Sequence, residues 1–276
     1  MQANIVGESI DEALGLIGGK LIGEAPHYQH RESCLRLSRP PLPEFDAAAL
    51  IEDIFQKIQS NLSVESRSNE NWRWVKNCAK KDNDGEKAVR REKKLEVRLE
   101  REIIKISKDW VNQVPTASGL LAVRSGNTGS IDLVHRCDDD SYEFIELKVT
   151  ANNPLYAAMA ILQYGILYML AKHTMNAQEK KELLQAKVIH LKVLAPMEYY
   201  KRFKLDWLEK EINNGLTVFL KKKQSGFLMN LKMDFRFEAF PKCFSVSPSF
   251  PKLEVIKKAL KDRSPVYSQR FRQKGL

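Results

Sequence analysis

The sequence predicts an α/β fold with a mixed central sheet flanked by helices. Three observations carry that expectation. The runs LLAVR (120–124), SIDLVHR (130–136) and YEFIELKV (142–149) are strand-like, and SGNTG and CDDDS between them are turn material. An apolar helical segment then begins at Asn153–Pro154 and reaches about His173. The buried-type strand VIHLKVLA (188–195) follows it. A helix of that length allows a parallel crossover, so a three-strand meander gains a parallel neighbour.

Residues 1–45 show no clear period; PHYQHRESCLRLSRPPLPEF is rich in Pro, His and Arg. Asp46 suits the cap of an amphipathic helix over 46–60, where Leu50, Ile54 and Ile58 recur at helical spacing. A Ser/Asn-rich linker occupies 61–70, and NWRWVKNCAKK (71–81) predicts a short basic, aromatic helix. Asp82 to Gly85 breaks the chain. A charged helix runs from about Glu86 to Lys108 with an apolar stripe of Leu95, Leu99, Ile103 and Ile106.

Asn153 suits an N-cap and Pro154 the first helical position of the crossover helix. A short helix is expected near 177–186. Beyond 195 come a charged helix (about 198–213), strand-like runs at 216–222 and 227–239, and a basic stretch through Arg263, Arg270, Arg272 and Lys274. The expected organisation is an N-terminal extension (1–85), a core (86–195) and a C-terminal α+β extension packed on it (196–276).

The 276 residues carry a net charge of +10, from 45 Lys+Arg against 35 Asp+Glu, which favours polyanionic partners. Cys34, Cys78, Cys137 and Cys243 form no CxxC pair, which suits a reducing cytosol, and a cytoplasmic location is expected. His27, His30 and Cys34 cluster without a fourth zinc ligand. The N-terminus has no basic leader. Residues 155–171 are barely long enough to span a membrane, with Gln163 mid-way and three tyrosines along them. A buried core helix explains them better, and no membrane partner is expected. No GxxxxGK[ST] loop is present, so any energy coupling would come from a partner.

FIELKV (144–149) places Phe144, Glu146 and Lys148 on one strand face and Ile145, Leu147 and Val149 on the other. Unpaired, either charge would be costly to bury. The simplest reading is an edge strand with a solvated ion pair. Asp132 sharpens the alternative. Counting back from the turn at 137–141 brings it level with, or near, Glu146 on the antiparallel neighbour. Two carboxylates and an ammonium can then share one surface, where carboxylate oxygens suit Mg²⁺ and a lysine can hold water or balance phosphate charge.

With Asp132, the turn, Glu146-Leu147-Lys148 and the following helix in place, the chain resembles the PD-(D/E)XK nuclease superfamily over residues 86–195. Ile131 stands where that signature has proline. The resemblance implies a restriction-endonuclease-like αβββαβ core. It implies metal-dependent hydrolysis of phosphodiester bonds, of DNA above all, leaving a 5′-phosphate and a 3′-hydroxyl. Mg²⁺, with Mn²⁺ as substitute, would be held by Asp132, Glu146 and the carbonyl of Leu147, and Lys148 would position the attacking water. Many members add a glutamate from the first helix. Of Glu92, Glu96, Glu100 and Glu102, Glu96 is preferred and Glu92 is second. Gln163 on the crossover helix is a further candidate, although Tyr164 and Tyr168 depart from the spacing of members that use a glutamine there.

Candidate backbone grips are Lys76–Lys81 with Trp72 and Trp74, Arg90–Lys94 and Lys221–Lys223. Restriction, phage defence, repair and mobile-element processing all fit, with a second copy or a partner protein as a source of specificity. The competing reading is an inactive nucleic-acid-binding or protein-interaction module on the same fold.

Overall fold

The computed structural model describes residues 5–16, 27–37, 39, 45–62, 71–77, 88–116, 129–149, 153–174, 181–223, 228–247 and 249–267, without the side chains of 5, 61, 62 and 88–94. In chain order the elements are α1 (Ile5–Ala13), α2 (Arg31–Arg36), α3 (Ala47–Leu62), α4 (Ala88–Ile103), β1 (Trp110–Pro115), β2 (Ser130–Arg136) and β3 (Ser141–Leu147). Then come α5 (Pro154–His173), β4 (Val188–Pro196), α6 (Met197–Tyr200), α7 (Asp206–Lys222), β5 (Lys232–Phe240), α8 (Leu253–Lys261) and β6 (Ser264–Pro265).

The strands form one open mixed sheet in the order β1-β2-β3-β4-β5-β6. β1, β2 and β3 are antiparallel neighbours, β4 runs parallel to β3 and β5 to β4, and β6 pairs antiparallel with β5. The two parallel steps are crossed by α5 and by α6–α7. β3 therefore lies inside the sheet, which removes the edge-strand reading of FIELKV.

Alternation along the strands feeds two cores. Val134, Phe144, Leu191, Val193, Phe235 and Phe237 pack under α3, α5 and α7. Leu133, Ile145, Leu147, Leu194 and Phe240 pack under Leu99 and Ile103 of α4 and Ile256, Ala259 and Leu260 of α8. The expected helices at 46–60 and 154–173 form as their caps dictate. Asp46 Oδ1 accepts from the amides of Ala48 and Ala49 at 2.9 and 3.0 Å. Asn153 Oδ1 accepts from Leu155 and Tyr156 at 3.0 and 3.3 Å, with Pro154 opening the helix. Among the described residues α5 is the one helix long and apolar enough to cross a membrane, and 72% of its apolar window is buried. At Gly165 it approaches β4 so closely that an added Cβ would lie 2.7 Å from Leu191 Cδ1.

Several expectations are corrected. The first strand of the meander is Trp110–Pro115, read from sequence as helix end and connector; residues 120–124 lie outside the described residues. α4 stops at Ile103, and Lys76 Nζ caps the chain beyond it by donating to Ile104 O (2.5 Å) and Ser107 O (2.8 Å). This frees Trp110, Val111 and Val114 to enter the sheet. Residues 71–77 are not helical: Trp72 has φ 62°, and its amide donates to Pro115 O. The strand-like run 216–222 is the end of α7. Leu208, Ile212, Leu216, Phe219 and Leu220 continue one helical stripe there, and tertiary packing overrides the β-branched residues. In addition, α8 forms at 253–261 from the stripe Ile256, Ala259 and Leu260, a segment for which no element is expected from the sequence. The short helix expected at 177–186 is a 3-10 turn at Glu182–Gln185 within the described residues.

Candidate active site

Leu133 pairs with Ile145 across β2 and β3, so Asp132 stands opposite Glu146, as the turn count requires. Lys148 follows β3, its amide donating to Leu194 O at 2.9 Å. Lys148 Nζ lies 2.7 Å from Glu146 Oε1 and 3.5 Å from Asp132 Oδ2. The two carboxylate oxygens are thus separated by at most the sum of those distances, inside the ~8 Å beyond which two side chains could not reach one ion at Mg²⁺ bond lengths. Asp132 Oδ2 also accepts from the amide of Leu147 (2.9 Å), and Leu147 O accepts from Lys148 Nζ (3.1 Å). Glu146 and Lys148 are buried, whereas Asp132 is partly open to solvent.

α4 brings two more carboxylates. Glu96 Oε1 accepts from the amide of Val149 at 3.1 Å, tying the helix to the strand end beside Lys148. Glu100, one turn on, is 2% exposed and accepts from Gln113 Nε2 at 2.8 Å; Gln113 Oε1 in turn accepts from Ser130 Oγ. Gln113 reaches both partners from a backbone at φ 50°, in the left-handed region where a side chain has to be held. The preference for Glu96 fits this geometry. Glu100 was available from sequence but not chosen; its signal was the same one-turn spacing that recommended Glu92 and Glu96. Glu102 faces outward to Lys105 (2.6 Å). The side chain of Glu92 lies outside the described residues.

Burial, then the charge of Asp132, pushes Glu146 up to about 7 against the pull of Lys148. Burial and Asp132 push Glu100 up to about 8, opposed by the Gln113 hydrogen bond. Burial would lower Lys148, but Asp132, Glu146 and Glu96 outweigh it and hold the ammonium well above its usual range. The cluster therefore gathers more negative charge than Lys148 neutralises. Its donors are all hard oxygens: Asp132, Glu146, Glu96, Glu100 and the carbonyl of Leu147. Such a set fits Mg²⁺ or Mn²⁺.

The described residues hold one tighter triad, His135, Cys137 and Glu143, with donor atoms within 4.8 Å of one another. It fits a cation poorly. Glu143 already takes Arg263 Nη2 on both oxygens (2.6 Å each) and Lys192 Nζ at 2.7 Å. Cys137 is pushed up to about 11 by burial and by Glu143, which keeps it a thiol.

The other sequence candidates are scattered. Gln163 is half-buried on the stripe of α5 that carries Tyr156 and Tyr164, and makes no hydrogen bond to Lys148. Trp72 is core, packed on Phe144 and Tyr168, and Trp74 packs on Tyr142 under the guanidinium of Arg136. Lys76 is spent on the α4 cap. Lys222 and Lys223 pair with Glu52 at 3.2 and 3.1 Å, leaving Lys221 exposed. Residues 78–81 and the side chains of Arg90–Lys94 lie outside the described residues. His27 pairs with Asp11 (3.4 Å), and Cys34 is buried.

No known family model, curated protein or solved structure matches the chain.

Proposed function

We propose that the chain is a metal-dependent nuclease of the PD-(D/E)XK type that hydrolyses phosphodiester bonds of nucleic acid, DNA in the first instance. One observation carries the reading: Asp132 stands opposite Glu146 on adjacent strands, and Lys148 contacts both at the end of the interior strand β3. The order α4-β1-β2-β3-α5-β4, with β4 parallel to β3, supports it by analogy of fold.

Mg²⁺ bound by Asp132, Glu146 and the Leu147 carbonyl would supply Lewis-acid stabilisation of charge on the scissile phosphate. The chain's own groups then have distinct tasks. Lys148, kept protonated by its carboxylate neighbours, is a hydrogen-bond donor and not a base. It can polarise a water and hold a phosphate oxygen. Glu146, 2.7 Å from Lys148 Nζ, would serve as a ligand of Mg²⁺ and hold the ammonium beside it. The main-chain amides of Leu147 and Val149 hold Asp132 and Glu96 in orientation.

The test is cleavage of plasmid and of single- and double-stranded DNA and RNA oligonucleotides with Mg²⁺ or Mn²⁺. Asp132→Asn and Lys148→Ala are run beside the wild type, with melting curves to confirm folding. Each substitution should cost about 100-fold or more in rate, the order seen when one charge-stabilising group is removed. Undiminished activity in both variants would overturn the site. Binding of nucleic acid without metal-dependent cleavage would favour the inactive module.

A further inference from the structure

Tyr199 on α6 is 5% exposed, and among the described residues no group accepts a hydrogen bond from its hydroxyl. A buried phenol ordinarily finds a partner. Its neighbour Tyr200 does, its single O–H lying within hydrogen-bond reach of Val193 O at 2.9 Å and Glu238 O at 3.0 Å. The unmatched donor also lies in a particular place. Leu194 O is bonded to the amide of Lys148, and the chain leaves β4 at Pro196 directly into α6. That carries Tyr199 to the end of the sheet where Lys148 sits, and its hydroxyl falls within electrostatic reach of Lys148, Glu146, Cys34 and Glu96. Burial keeps it protonated, well above the usual phenol range. Cys34, pushed up to about 12 by burial, stays a thiol and is a weak acceptor.

The carboxylates nearby already accept from Lys148 and from backbone or side-chain amides. An unsatisfied buried donor at the end of the sheet that carries Lys148 can be matched by an anionic oxygen from outside the chain. We propose that Tyr199 is a further substrate-contacting residue of this site, its Oη donating a hydrogen bond to a non-bridging oxygen of a phosphoryl group seated beside Lys148. The inference rests on the nuclease reading for the location of that phosphoryl group.

The experiment is calorimetric titration of the full chain with thymidine 5′-monophosphate and Mg²⁺, paired with thermal melts, for wild type, Tyr199→Phe and Tyr200→Phe. Tyr199→Phe should weaken nucleotide binding about tenfold, the scale of one hydrogen bond to a charged oxygen. Its melting temperature should be unchanged or higher, because no internal bond is lost. Tyr200→Phe should show the reverse: a lower melting temperature and unchanged affinity.

Wild-type affinity in Tyr199→Phe, a loss of stability as large as that of Tyr200→Phe, or no nucleotide binding by wild type at millimolar concentration would each overturn the assignment. Cleavage separates the two ideas. A wild type that cuts DNA, with Tyr199→Phe unimpaired in binding, removes Tyr199 and leaves the nuclease reading standing. Nucleotide binding that needs Tyr199, without cleavage, keeps Tyr199 and overturns the nuclease.

Discussion

Replacing Glu100 by glutamine removes a charge from the cluster while keeping its shape and an acceptor for Gln113 Nε2, now 2.8 Å away. In the folded chain this carboxyl titrates at about 8, against 4.5 for an ordinary glutamate. The folded state therefore keeps a proton that the unfolded chain releases between those values. Stability from this group is fully present below about pH 4.5 and is lost as pH rises towards 8. At ~1.4 kcal/mol per pKa unit the penalty reaches about 3–5 kcal/mol at pH 8 and is under about 1 kcal/mol at pH 5. Urea unfolding of wild type and Glu100→Gln at pH 5, 6.5 and 8 should show near-equal stability at pH 5. The variant should gain steadily on wild type as pH rises. Asp132→Asn should shrink the pH dependence in the wild-type background, because the charge of Asp132 is the second cause of the shift after burial. A difference that does not change with pH, or a variant less stable than wild type at pH 8, would refute the crowding of Glu100 against Asp132.

Above pH 7 Mg²⁺ should stabilise wild type by about 1.4 kcal/mol at ten times its dissociation constant, read as a higher melting temperature, and the rise should vanish in Asp132→Asn. Arg263→Ala should cost about 3–5 kcal/mol in urea unfolding, since it strips Glu143 and Glu238 of a buried partner at 2.6 and 3.2 Å. Glu143 is held far below the usual carboxylate range, its burial outweighed by His135, Arg263 and Lys192. Its contribution is therefore present above about pH 4.5 and lost in acid, so wild type should lose more stability than Arg263→Ala as pH falls below 4. Gly215→Ala should destabilise more than Gly165→Ala. A Cβ at 215 meets the backbone carbon of Ala47 at 2.7 Å, whereas at 165 it meets the movable end of Leu191; about 1–3 kcal/mol is expected for overpacking, read by thermal melts.

Where a signal was local, the sequence was enough. Asp46 and the Asn153–Pro154 pair name their helix starts because capping involves only the next two or three amides. The Asp132–Glu146 register follows from a short turn and a period of two. The misreadings fall where a distant element decides. Residues 110–115 become a strand because β2 lies beside them, and 216–222 stay helical because α3 packs on their stripe. Trp72, a candidate base-stacking platform whose commoner role is in the core, lies in the core between Phe144 and Tyr168.

The sequence by itself determined the charges of FIELKV, their shared face with Asp132 and the α/β order around them, because alternation and turn length are properties of neighbouring residues. The tertiary structure decided which helix carboxylates join them, that Glu100 is buried against Asp132, and that Tyr199 reaches the same end of the sheet with no partner among the described residues. Those facts depend on how α4 and α6 cross the strands, and no local pattern encodes a crossing.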